Sequence, residues 1–161
     1  MLNLIAWIQN PDKTQKDLIL NNGAFVVTDE HSTRDEISKK IFDIDSNGKH
    51  FYKSNSINII RLNSTYLVKL QTSKLDENGR SMPMMMLVEN YQENTNSELK
   101  NLIDITLSNS KYELDNNFVD EILNQLKIDL ENLIKKKKML TIGVGIIFLI
   151  SLILLIKSLL K

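Results

Sequence analysis

The 161-residue chain has no cysteine, which removes disulfides, thiolate nucleophiles and Cys-based zinc sites from consideration. Proline occurs only at Pro11 and Pro83 and glycine at five positions, so no flexible or Pro-rich linker divides the sequence. Histidine is limited to His31 and His50, neither in a nucleophile context, and no GxGxxG or Walker-type loop is present to cradle phosphate. Acid is missing from the last part of the chain: nothing after Glu131 is Asp or Glu, whereas six of the twenty basic residues follow Ile134. Residues 1–134 therefore carry fourteen basic against twenty acidic side chains, six net negative, beneath a formal net charge of zero. Nucleic-acid binders present a basic face to phosphate, so nucleic acid is not an expected partner. No cofactor motif is found either.

What the sequence does have is one long hydrophobic run. Met139 to Ile156 (MLTIGVGIIFLISLILLI) is uncharged, and Leu159 and Leu160 resume it after Lys157 and Ser158. As a helix, eighteen residues measure about 27 Å, close to a hydrocarbon core of about 30 Å. Both ends are lysine-flanked and no face is polar, which disfavours a buried core helix. The expected anchor covers residues 139–160, with Met139, Gly143, Gly145, Phe148 and Ile156 among its lipid-facing positions. Lys135, Lys136, Lys137 and Lys138 precede it, and only Lys157 and Lys161 follow. The positive-inside rule then keeps the N-terminal part cytoplasmic, and the four lysines double as headgroup contacts. Met1–Ile8 is too short for a signal-peptide core and has no basic residue before it. The expectation is a tail-anchored, single-pass protein of a membrane, the bacterial inner membrane being the natural host. Within the run, Thr141 with Gly145 and Ser151 with Ser158 are small or polar pairs suited to close helix–helix contact, although the pairs point to different faces.

Ahead of the run, the patterning predicts an α+β fold, a small domain with an antiparallel β-meander packed by helices. A long helix then continues into the span. Leu2–Ile8 reads as a strand. Asn10-Pro11-Asp12 reads as a helix start and Asn22-Gly23 as its stop, with Leu18 and Ile19 inside. Ala24–Thr28 reads as a short buried strand. Thr33 and Glu36 are spaced as a capping box for a helix carrying Ile37, Ile41 and Phe42 on one side. Asn47-Gly48 reads as a hairpin turn between Ile44 and His50-Phe51-Tyr52. Ile57–Leu62 and Thr65–Thr72 flank an Asn63-Ser64 turn, and Met82–Val88 adds the last strand. Thr95 with Glu98 fits a second capping box, followed by Leu99, Leu102, Ile103 and Leu107 at helical spacing. A third helix from about Asp115 carries Val119, Ile122, Leu126 and Leu133; docking on the sheet is favoured over a two-heptad coiled coil. The expected divisions are residues 1–94, 95–134, 135–138 and 139–160.

Few residues invite chemistry. Asp43-Ile44-Asp45-Ser46-Asn47-Gly48 matches the first half of an EF-hand loop, but its twelfth position is Ser54 where a bidentate Glu belongs, so a polar turn is favoured over a metal site. The acid pairs Asp29-Glu30, Asp35-Glu36, Asp76-Glu77 and Asp120-Glu121 fall in expected turns and solvated faces, and no catalytic residue is assigned. Met82, Met84 and Met86 have two readings: core filling, which is favoured, or an edge strand open to a partner, as Pro83 suggests. Trp7 reads as core.

The expected function is a non-enzymatic interaction module tethered to lipid, working as a homo-oligomer or with a protein partner. In its sharper form, assembly gathers the spans and perturbs the bilayer. A soluble domain ahead of one span resembles, in architecture, small bacterial membrane effectors of antiphage defence and toxin systems. A membrane-bound hydrolase and a small-ligand sensor are the alternatives.

Overall fold

Leu4, Ala6 and Ile8 alternate with Ile5 and Trp7 along β1 (Asn3–Ile8), so both of its faces are apolar and both must be covered. The computed structural model describes residues 1–8, 17–26, 31–70, 84–110 and 116–159. β1 lies inside a seven-stranded antiparallel sheet with β2 (Leu18–Asn21), β3 (Ala24–Phe25), β4 (Lys49–Lys53), β5 (Ile57–Leu62), β6 (Thr65–Leu70) and β7 (Met84–Glu89), in the order β3-β2-β1-β7-β6-β5-β4. The helices are α1 (His31–Asn47), α2 (Asn96–Ser110) and α3 (Asn116–Leu159), so the fold is α+β as expected. The chain divides into two units, Met1–Gln125 and Leu126–Lys161.

In the first unit the path runs from β1 outward to the edge strand β3, then returns from the opposite edge. α1 makes the crossing. Six inter-strand gaps span about 29 Å, and a 17-residue helix measures about 26 Å, so α1 covers most of the width of the face. The meander β4–β7 then runs back inward until β7 pairs with β1, in the register Asn3↔Glu89 to Ile8↔Met84. Ile37 and Ile44 of α1 pack with Trp7, Ile19, Ile60, Leu67 and Leu87 on one face. On the other face Leu4, Ala6, Ile59, Val68, Met86 and Val88 are fully buried. α2 lies over β1 and β2 there, through Leu99 and Ile103. Val119 and Ile122 of α3 are likewise buried, and Lys100 ties α2 to Asp120 at 2.8 Å. Phe51, Tyr66 and Tyr91 stack edge-to-face across the same side, with centroids 5.8 and 6.0 Å apart.

Several local expectations change. Leu18–Asn21 is a strand, not the end of a helix, because three consecutive apolar residues suit a strand covered on both sides. Asn22 (φ 50°) and Gly23 (φ 83°) form its two-residue hairpin turn, the left-handed pair that such turns require. β3 is two residues long and exposed, not a buried strand. Conversely, Asn47-Gly48 closes a helix rather than a hairpin, with Gly48 N–H donating to Ile44 O at 2.8 Å. Phe42 lies on the solvent side, away from the Ile37-Ile41-Ile44 stripe. Thr95 turns back to Gln92, accepting its N–H at 3.0 Å within the 3₁₀ turn Glu93–Thr95, and so does not pair with Glu98 as a cap. The Asn63-Ser64 turn is as expected, with Asn63 at φ 55° and Leu62 facing Thr65. The expected helix start at Asn10-Pro11-Asp12 lies outside the described residues.

Candidate functional site

A core helix hides one stripe; the apolar part of α3 hides none. Every large hydrophobic side chain from Met139 to Ile156 is exposed, Leu152 least at 43% and Met139, Leu140 and Phe148 most at 68%. In the most apolar eighteen-residue window nothing is buried, and the helix is long and apolar enough to cross a membrane. The chain thus carries one candidate membrane span among its described residues, consistent with a single-pass membrane protein.

The polar atoms inside this segment are settled by its own backbone. Thr141 Oγ1 donates to Lys137 O at 3.0 Å, Ser151 Oγ to Ile147 O at 2.9 Å, and Ser158 Oγ to Leu155 O at 2.7 Å. A hydroxyl bonded one turn back costs little in hydrocarbon. The expected contact residues therefore need no second helix to satisfy them. Space beside Gly143 and Gly145 is open, so a close neighbour is sterically allowed there. Lys135, Lys136, Lys137 and Lys138 are helical and exposed immediately before the apolar segment.

Met84 and Met86 are core, the favoured of their two readings. Both are fully buried on β7, which is flanked by β1 and β6, so the alternative edge-strand contact is corrected: both ladders of β7 are taken. The strand begins at Met84, after the proline; Met82 and Pro83 lie outside the described residues. Trp7 is core as expected. The Asp43–Gly48 stretch, read as a polar turn between strands rather than a metal site, is corrected to a helix end. Asp43, Asp45 and Asn47 sit in the last turns of α1, where Asp45 pairs with Lys69 at 2.6 Å and Asn47 Nδ2 bonds back to Asp43 O. Among the described residues no group of three His, Cys, Asp or Glu side chains could hold a metal. His50 is exposed on edge strand β4, its Nδ1 3.3 Å from Asn58 Oδ1. Of the acid pairs, Asp120 and Glu121 are structural: Asp120 holds Lys100, and Glu121 accepts from the Tyr52 hydroxyl. That hydrogen bond, with burial and the carboxylate charge, pushes the Tyr52 phenol up. Asp35 and Glu36 are exposed on α1, and Asp29-Glu30 and Asp76-Glu77 lie outside the described residues.

One feature escaped the sequence reading. A pocket of about 190 Å³ lies between α1 and the β1–β2 end of the sheet, lined by Ile5, Asn21, Val26, Glu36, Ile37 and Lys40. The Lys40 ammonium is engaged by Glu89, which also accepts from Asn3 Nδ2 at 2.8 Å. Burial alone would raise the Glu89 carboxyl, but these hydrogen bonds and the Lys40 charge outweigh it and hold the group below its usual value. The contributors come from separate elements, and no spacing in the sequence announces them.

No family model, curated protein or solved structure matches the chain.

Proposed function

We propose that this chain is a membrane-tethered, non-enzymatic interaction module. Its acidic α+β domain stands on the cytoplasmic side, and the Met139–Ile156 helix confines it to the bilayer. The observation that carries this reading is the apolar stretch of α3 with no buried face, entered through four consecutive lysines. The orientation rests on the lysine asymmetry across the span, four before it against Lys157 and Lys161 after it. Partners are a protein or further copies of the chain. In the effector form, assembly crowds the spans and loosens the bilayer; the open flank at Gly143 and Gly145 is the part of the helix that permits such crowding.

Flotation of full-length protein with liposomes tests the anchor, and protease added to intact spheroplasts or to inverted vesicles tests the side. The proposal expects co-flotation that survives high salt and digestion of the domain only in inverted vesicles. Protein that stays at the bottom of the gradient refutes the tether. Dye release from vesicles that depends on Met139–Ile156 and rises with protein density separates the effector form from a plain anchor.

A further inference from the structure

Four consecutive residues of an α-helix are spaced by about 100° each, so Lys135, Lys136, Lys137 and Lys138 together span about 300° of the helix circumference. They form a ring of cations rather than a stripe. All four are exposed, the nearest acid is Glu131 a turn earlier, and the next residue, Met139, opens the apolar segment. Orientation by lysine asymmetry counts charges and needs no particular arrangement. A ring directly abutting a lipid-facing cylinder adds something else: whichever way the helix is rotated, a lysine meets the headgroup layer on almost every side.

We infer that this collar selects anionic phospholipid, so that the lipids lining the span at its lysine end are enriched in negatively charged headgroups. The inference rests on the membrane reading above and names the lipid class that reading leaves open. Charge complementarity and continuity with the span commit the site to a bilayer headgroup rather than to free phosphate. Each lysine close to an anionic surface strengthens partition about fivefold, and the effect decays within a Debye length. Because the charges encircle the helix, the preference belongs to the annulus of lipids and not to one pocket. Replacing any single lysine should therefore weaken it only in part.

The test reconstitutes full-length protein in phosphatidylcholine vesicles with and without 30% phosphatidylglycerol, and measures the motionally restricted fraction of spin-labelled phosphatidylglycerol against spin-labelled phosphatidylcholine. The expected result is a severalfold preference for the anionic label at low salt, which shrinks as salt rises. K135Q/K136Q/K137Q/K138Q should abolish it, and K136Q alone should lower it in part. Equal restriction of both labels by the wild-type chain, or an unchanged preference in the quadruple variant, overturns the collar. If inorganic phosphate erases the preference below the ionic strength at which chloride does, the site is a free-phosphate site and the inference also fails. A flotation arm keeps the two readings apart. Protein that floats with neutral vesicles but shows no preference defeats the collar alone, and protein that fails to float defeats both.

Discussion

Gly48 illustrates how a single residue decides the path of this chain. A Cβ there would meet the Ile44 carbonyl oxygen at 2.3 Å and Ile60 Cγ2 at 2.5 Å, so the end of α1 lies against β5 only because position 48 has no side chain. Its backbone has no positive φ; what matters is closeness, not left-handedness. The backbone oxygen cannot step aside as a flexible side chain could. Gly48→Ala should cost about 1–3 kcal/mol and lower the melting temperature of the detergent-solubilised protein by several degrees. Glu89 gives a pH test at the same scale. Its carboxyl lies below the ordinary 4.5, so the stability it adds is fully present above that value and is lost as pH falls through the depressed one. Glu89→Gln should therefore melt below the wild type at neutral pH, and the gap should close as acid protonates Glu89. A gap unchanged from neutral pH into strong acid contradicts the ion pair with Lys40.

Elements show where the sequence was legible and where it was not. The dipeptide Asn-Gly occurs three times, and at the two sites within the described residues the sequence pattern points to the other structure it serves. Asn22-Gly23 turns a hairpin and Asn47-Gly48 ends a helix. The dipeptide favours both, so only its flanks decide. Leu18-Ile19-Leu20 is too uniformly apolar for one helical stripe, whereas Ile37, Ile41 and Ile44 keep a helical period almost to Asn47. The β5–β6 hairpin was plain, because its alternation and its Asn63-Ser64 turn agree. Core methionines on β7 are as favoured, but the edge position that Pro83 suggests is not taken, because β7 pairs with β1, a partner far away in sequence. Such pairings leave no local trace. α3 was readable as two stretches of different burial. Ile122 is fully buried whereas Phe148 is 68% exposed. Ile122→Ala should thus destabilise the domain by about 2–5 kcal/mol. Phe148→Ala should leave it within about 0.5 kcal/mol of wild type. Denaturant unfolding followed by Trp7 fluorescence would compare them; equal losses would contradict the division.

The whole molecule joins a unit with a complete two-sided core to a segment that buries nothing along its apolar length. A fragment ending at Ile134 keeps the whole of the Met1–Gln125 unit and sheds the span with its lysines. It should be monodisperse without detergent and show cooperative thermal unfolding, whereas the full chain should need detergent or lipid to stay dispersed. Gel filtration and circular dichroism of the two side by side check this. At this scale the sequence was most informative about the span, since eighteen uncharged residues need no tertiary knowledge to recognise. It was least informative about the pocket beneath α1, which exists only once Ile5, Asn21 and Lys40 have been brought together.

The pairing of β1 with β7 also sets a clock. The middle of the sheet stays open until Glu89 has been synthesised, and Met139 is made fifty residues later. At about 5–20 residues per second, that interval is roughly 3–10 s. Sheets of this kind close in milliseconds to seconds. Translation therefore gives the domain time to shut its exposed strand edges before the greasy helix arrives to compete for them.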